Sequence, residues 1–356
     1  MSAATRTPAP AAANAATPGS AFAKRRKVRA QRAVKLGALV FLVILFSSVT
    51  LLLGRYTVTI PDFFRIIGGA DIPGASFIVM ENRIPRVLIG AMIGAAFGVA
   101  GAIFQTMLRN PLASPDIIGI SYGASASAVL AIVLFGASGL PLAGWAMVGA
   151  LVIALAIYAI SKRGGVAGYR LILVGIGFSA VLQSIVSFLL TRADINLASE
   201  ALVWLNGSLN QSNWERLTVL ALALAVLVPV VVVLSRPLRG LELGDDAAAG
   251  LGVSVERSRL ALVVTGVLLA AVATAAAGPV SFIAFLSGPI ARRFLGGHRP
   301  LLTAALVGAV IVLGADFVGA NLIPGVSLPV GVITGVLGAP FLLWLLATSN
   351  RSGQGG

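Results

Sequence analysis

The sequence predicts an all-α, polytopic membrane protein of about ten transmembrane helices with both termini in the cytoplasm. Three observations carry that prediction. First, the chain of 356 residues is 58% hydrophobic and only 11% charged, with a mean hydropathy of +0.99. Soluble domains carry roughly 25% charged residues, so this chain could not keep a water-facing shell around so large a core. Second, the apolar residues fall in continuous runs close to the ~20 residues that span a bilayer. Backbone groups inside a bilayer must be satisfied internally, which makes such runs helices, and continuous rather than alternating runs argue against a barrel. Third, the basic residues segregate: 20 of the 26 Lys and Arg fall in alternate loops on one side, the signature of a cytoplasmic face.

The elements follow in order. Residues 1–33 read as a disordered basic tail: Met1 to Ser20 is rich in Ala, Pro and Thr, and Lys24, Arg25, Arg26, Lys27, Arg29, Arg32 and Lys35 form a basic run. The apolar stretch behind it is too long for a signal peptide, and Leu53-Gly54-Arg55 is a poor cleavage site, so it reads as a retained span. The membrane domain covers 34–348, and 349–356 is a flexible tail. Its ten apolar segments are 34–53, 86–108, 117–136, 142–160, 171–191, 214–234, 260–277, 280–295, 301–318 and 329–347. The eighth is the weakest, being short and ending in Arg292 and Arg293. Gly90, Gly94 and Gly98, then Gly119 and Gly123, then Gly331 and Gly335 stand at four-residue spacing, which lets helix backbones approach closely. The net charge of +14 is thereby explained by topology and contact with membrane lipid, and no nucleic acid is expected as a partner. With no cysteine and a single histidine, His298, no metal site or cofactor is expected either.

Chemistry within the bilayer is sparse. Asp316, near the end of the ninth segment, is either a functional carboxylate or a residue that caps or pairs at the outer interface. On the fifth segment Gly175, Ser179, Gln183, Ser187 and Thr191 recur every four residues and so share one helix face. Such a stripe suits a water-filled path or interhelical hydrogen bonds, and the residues alone leave both open. The polar segment Arg192–Asn213 can form a short helix at the outer mouth. The longest cytoplasmic connection contains Leu243–Val253, read as a short helix with Asp245 at its N-cap, alanines propagating it and glycines ending it. Asp245-Asp246 is reminiscent of magnesium-binding acidic motifs in membrane prenyltransferases, but alanines follow instead of further carboxylates. A partner-docking element is the better reading. No Gly-Lys dipeptide occurs, so no phosphate-binding P-loop can be written and no catalytic residue is assigned.

The ordered motifs resemble a known family. Asn82-Arg83-Ile84-Pro85-Arg86, Gly101-Ala102-Ile103-Phe104-Gln105, Arg109-Asn110-Pro111-Leu112-Ala113-Ser114-Pro115, Leu243–Val253, Gly278-Pro279-Val280-Ser281-Phe282-Ile283, Ala315-Asp316 and Leu328–Phe341 are similar to blocks of the FecCD-type permeases. These permeases serve ABC importers of iron-siderophore, heme and cobalamin. Gly288-Pro289, where many members have Pro-His, resembles the siderophore branch. The resemblance implies a permease without its own nucleotide site in the cytoplasmic membrane. Its partners would be a second permease subunit, two ATPase subunits and an extracytoplasmic substrate-binding protein. It places docking of that binding protein on Arg83 and Arg86, and the path on Ser179, Gln183, Ser187 and Thr191. It places an inner gate at Asn110 and Leu112, and ATPase coupling at Gly244, Asp245, Asp246, Ala247, Ala248, Gly250 and Leu251. Two other classes compete. An ion-coupled carrier would work through Asp316, and a membrane enzyme on a lipid-linked substrate would use Asp245 and Asp246.

Overall fold

The computed structural model describes residues 18–54, 56–116, 118–161, 168–296, 300–321 and 327–349. The tail segments 1–17 and 350–356 lie outside them. All regular structure among the described residues is helical. Each of the ten apolar segments forms a helix, and seven of these helices are long and apolar enough to cross a membrane.

Helix α1 spans Pro18–Leu52, so it starts well upstream of residue 34. Residues 18–33 are thus helical where disorder is expected from their charge. No glycine or proline falls between Ser20 and Leu36, and Lys, Arg, Gln and Ala are all good helix formers. The chain then makes a short helix, α2 (Ile60–Ile67), capped by Thr59, whose Oγ1 accepts from the Asp62 amide at 3.3 Å. Val58, Ile66, Ala75 and Val79 form a small apolar cluster under it.

The second apolar segment is longer than its hydrophobic run. Helix α3 (Ala75–Phe77), a π-helical turn (Ile78–Arg83) and α4 (Ile84–Met107) are continuous. Pro85 sits at the start of α4 and lacks an amide hydrogen. The π turn absorbs the resulting mismatch, with the Ile84 amide bonded five residues back to Val79. The remaining helices are α5 (Ile120–Phe135), α6 (Gly139–Ser161), α7 (Gly168–Arg192), α8 (Ile195–Leu205), α9 (Trp214–Glu242), α10 (Asp245–Gly250), α11 (Val255–Ala277), α12 (Ile283–Leu295), α13 (Pro300–Asn321) and α14 (Val330–Ser349). Helix α8 is the short helix anticipated between Arg192 and Asn213.

Helix α4 is the hub, packing against α9, α11, α12 and α13. Its side chains Phe97, Phe104, Ile89 and Ile93 are fully buried. Small residues make this possible. A Cβ on Gly94 would lie 2.5 Å from the Gly308 carbonyl oxygen of α13, so the two backbones touch. Gly335, read as part of a similar face on α14, has no described neighbour within reach of a Cβ, whereas Gly331 packs against the Asn206 carbonyl.

Two charged contacts tie α4 to its surroundings. Arg86 donates from Nε and Nη2 to the two carboxylate oxygens of Asp316 on α13, at 2.8 and 2.9 Å. Arg83 is buried and donates to the carbonyls of Leu51, at 2.7 Å, and Tyr56. Both arginines, expected to face a partner, therefore spend their donors inside the chain. Bidentate pairing with a carboxylate and capping of carbonyls at the end of α1 satisfy a guanidinium that the fold has taken out of water.

Candidate functional site

The loop 108–119 connects α4 to α5 and forms one wall of the site. It begins with Arg109 in a left-handed conformation, φ +50°. Asn110 then turns the chain, its Oδ1 accepting from the Leu112 amide at 2.9 Å. Further on, the loop lies against α7, where a Cβ on Gly175 would be 2.4 Å from the Ile118 carbonyl oxygen. The polar stripe of α7 is therefore brought onto this loop by its glycine.

A cavity of about 600 Å³ opens between the loop, α5, α7 and the start of α12. Ser114, Asp116, Ser121, Ser125, Ser179 and Gln183 supply its polar wall, and Phe282, Phe285 and Leu342 its apolar one. Among the described residues, Asp116 is the only ionisable carboxyl on this lining, and no basic residue joins it. Its Oδ1 accepts from the Ser121 hydroxyl, while Oδ2 is buried with no side-chain partner and the carboxyl lies beside the Phe282 backbone. A buried carboxyl in a loop that lines a cavity can accept a hydrogen bond from a ligand or water.

The apolar wall is held by unusual backbone. Phe282 precedes α12 with φ +66°, a costly conformation of order 1–3 kcal/mol for a bulky residue. Its ring rests on Gly338 of α14 and meets Phe285 edge-on at 6.3 Å. Leu112 packs on the cluster of Phe285, Leu286 and Leu345, so the Asn110 turn seats a leucine against the aromatic end of the cavity. Pro289 lies inside α12 and cannot donate to the carbonyl of Phe285 four residues back. Gln105 of α4 satisfies that carbonyl instead, its Nε2 donating at 3.1 Å. Gly288 leaves the space: a Cβ there would lie 1.8 Å from the glutamine Oε1.

Of the striped residues of α7, Ser179 and Gln183 reach the cavity; Ser187 and Thr191 are exposed and do not line it. Thr191 turns its hydroxyl to the Phe188 carbonyl of its own helix at 2.7 Å. The cavity covers about three turns of α7, from Ile176 to Val186. Sequence reasoning missed Asp116, which stands one residue beyond the last motif block, at Pro115. Its signal was available, since it is a lone carboxylate immediately ahead of an apolar run.

Helix α10 packs on α9 and α11. Asp245 does not cap this helix. The cap position is Gly244, at φ +109°, and both Asp245 carboxylate oxygens accept from Arg259 Nη2 at 2.9 Å. A basic residue on the next helix outcompetes the local amide, because the charged donor makes the stronger bond. Ala248 is fully buried, whereas Leu243 and Leu251 are each 67% exposed. Arg109 reaches this element: a Cβ on Gly244 would lie 3.3 Å from its Nη1. The cavity loop and the α10 element are thus neighbours.

Comparison with known proteins agrees with this architecture. The model of the FecCD transport family matches residues 39–348. The ferric enterobactin transport system permease protein FepG of Escherichia coli (strain K12) is 42% identical over 84% of this chain and 91% of its own length. The Fe(3+)-citrate import system permease protein YfmE of Bacillus subtilis (strain 168) is 36% identical over 92% of this chain and 99% of its own. A solved structure of a metal-chelate type ABC transporter in an inward-facing conformation superposes with a TM-score of 0.77 at 26% identity. It covers 88% of this chain and 98% of its own. The helical bundle, the cavity beside α7 and these relationships lead to one conclusion: the chain belongs to the FecCD transport family.

Proposed function

We infer that this chain is the permease subunit of an ABC importer that moves a ferric siderophore across the cytoplasmic membrane. The observation that carries the reading is the family match over the whole helical bundle, together with a polar cavity set between α5, α7 and α12. The relatives named for ferric enterobactin and ferric citrate supply the substrate class. The chain does no bond chemistry. ATP is hydrolysed by partner subunits, two of which sit below a pair of permeases.

Ten helices cross the bilayer in this reading, with both termini in the cytoplasm; the segregation of 20 basic residues supports it. The three helices shorter than the rest, α5, α12 and α14, complete the count. Ser179, Gln183 and Asp116 line the path, and Ser187 and Thr191 continue it along α7. Asn110 and Leu112 form the inner gate, supported by the seat of Leu112 against Phe285. Residues Gly244 to Leu251 couple to the ATPase, supported by the exposed leucines on either side of α10. A binding protein delivers the chelate from outside. Docking through Arg83 and Arg86 would require them to leave their partners in the chain. Unchanged binding-protein affinity in folded Arg83→Gln and Arg86→Gln variants would remove them from that surface.

The competing classes lose their residues. Asp316 is held by Arg86, so an ion-coupled carrier has no free carboxylate there. Asp245 is held by Arg259, which blocks a magnesium role. The decisive experiment is uptake of ferric chelate into vesicles holding this chain, its partner permease and ATPase. Import should require ATP and the ATPase. Import by this chain without an ATPase would overturn the reading.

A further inference from the structure

A second cleft, about 620 Å³, lies away from the cavity just described, between α4, α9 and α13. Its floor is Ala95, Ala96 and Val99 of α4, and its walls are the valines of α9 and the first turn of α13. Val232 is 63% exposed, so the cleft opens sideways out of the bundle. Along α4 it runs from Ala95 to Thr106, eleven residues or about 16 Å at the helical rise. That matches one leaflet, about half of the ~30 Å hydrocarbon core.

One end of the cleft is polar. Arg239 and Glu242 both line it, next to Pro300 at the start of α13. They stand three residues apart on α9, which puts their Cβ atoms about 5–6 Å from each other. Yet neither is ion-paired, to its neighbour or to another described side chain. Two opposite charges left open at the mouth of an apolar slot one leaflet deep define their occupant. We propose that this cleft holds a phospholipid with a primary-ammonium headgroup, its acyl chain in the slot, its phosphate on Arg239 and its ammonium on Glu242. Phosphatidylethanolamine has that chemistry. An anionic glycerol headgroup would meet Glu242 without a cation, and a trimethylated ammonium has no hydrogen to donate to it. The site is independent of the substrate path.

The test reconstitutes the full chain in nanodiscs of equal parts phosphatidylethanolamine, phosphatidylglycerol and phosphatidylcholine. Lipids retained after gentle extraction are then weighed by native mass spectrometry. One phosphatidylethanolamine should be retained in preference to the others. Arg239→Ala should lower its retention about tenfold, the factor carried by one charge-assisted hydrogen bond. Glu242→Gln should erase the preference over phosphatidylcholine, and Val232→Trp should displace the lipid by filling the slot. Equal retention of the three lipids by the parent chain would overturn the proposal. So would an unchanged preference in Glu242→Gln, a surface change that keeps the experiment decisive if Arg239→Ala fails to fold. A dimer joined through this face, without lipid, would assign the cleft to a second copy instead.

Discussion

Helices α4 and α7 are both apolar and both long enough to cross a membrane, yet they are built for opposite purposes. The span that includes α4 is 72% buried within the chain and that of α7 only 22%. Helix α4 meets its neighbours through backbone contact at Gly94, a bidentate ion pair from Arg86 and a glutamine that repairs a proline break. Helix α7 shows Ser179 and Gln183 to a cavity and leaves Ile176, Val181 and Phe188 more than half exposed. The difference teaches how the bundle divides its labour. Interactions that cannot be altered without loss gather on α4, and α7 is left free to border the cavity and to meet whatever faces its open side.

That contrast can be broken in graded steps. The largest effect is expected at Asp316. Asp316→Ala leaves the partly buried Arg86 guanidinium without its carboxylate, which should cost up to about 3 kcal/mol. Thermal unfolding in detergent should show the loss, and combining it with Arg86→Met should recover part of it. Next is Gly94→Val. Its methyls would overlap the Gly308 backbone, and overpacking of this kind costs about 1–3 kcal/mol, here at the upper end because backbone cannot rotate away. Gln105→Leu follows, at about 1–3 kcal/mol, since the Phe285 carbonyl then lacks any donor. The smallest stability effect is expected on α7. Gln183→Ala should move the unfolding midpoint by no more than ~0.5 kcal/mol equivalent, while slowing ATP-dependent chelate uptake. A large stability loss at Gln183 with normal uptake would erase the distinction between the two helices. Asp116→Asn sharpens it: the protein should fold normally and transport poorly, because the amide keeps an oxygen for the Ser121 hydroxyl but loses the charge.

Much of the architecture was legible in advance for a physical reason. Hydrophobic runs near 20 residues have one stable solution in a bilayer, so each of the ten apolar segments could be read as a helix without knowing its neighbours. The edges were harder. The chain 18–33 was misread because charge signals solvent but not backbone state, and lysine and arginine are good helix formers. The extension of the second span back to Ala75 was hidden because a π turn before Pro85 has no simple sequence period. Within the site, Ser179 and Gln183 were readable from their spacing. The limit of the stripe was not, since whether Ser187 faces a cavity depends on elements distant in the chain that pack beside α7.

The sequence by itself determined the class of solvent, the helical content, the segregation of charge and the family motifs, because these follow from local composition and spacing. Partnership was decided only by tertiary structure. Which carboxylate Arg86 takes, whether Asp245 serves its own helix or Arg259, and that Asp116 shares a cavity with Ser179 and Phe282 all depend on residues distant in the chain. A charge partly withdrawn from water goes to the partner that geometry brings within 3 Å. Spacing along a helix states which residues share a face, and only packing states what that face meets.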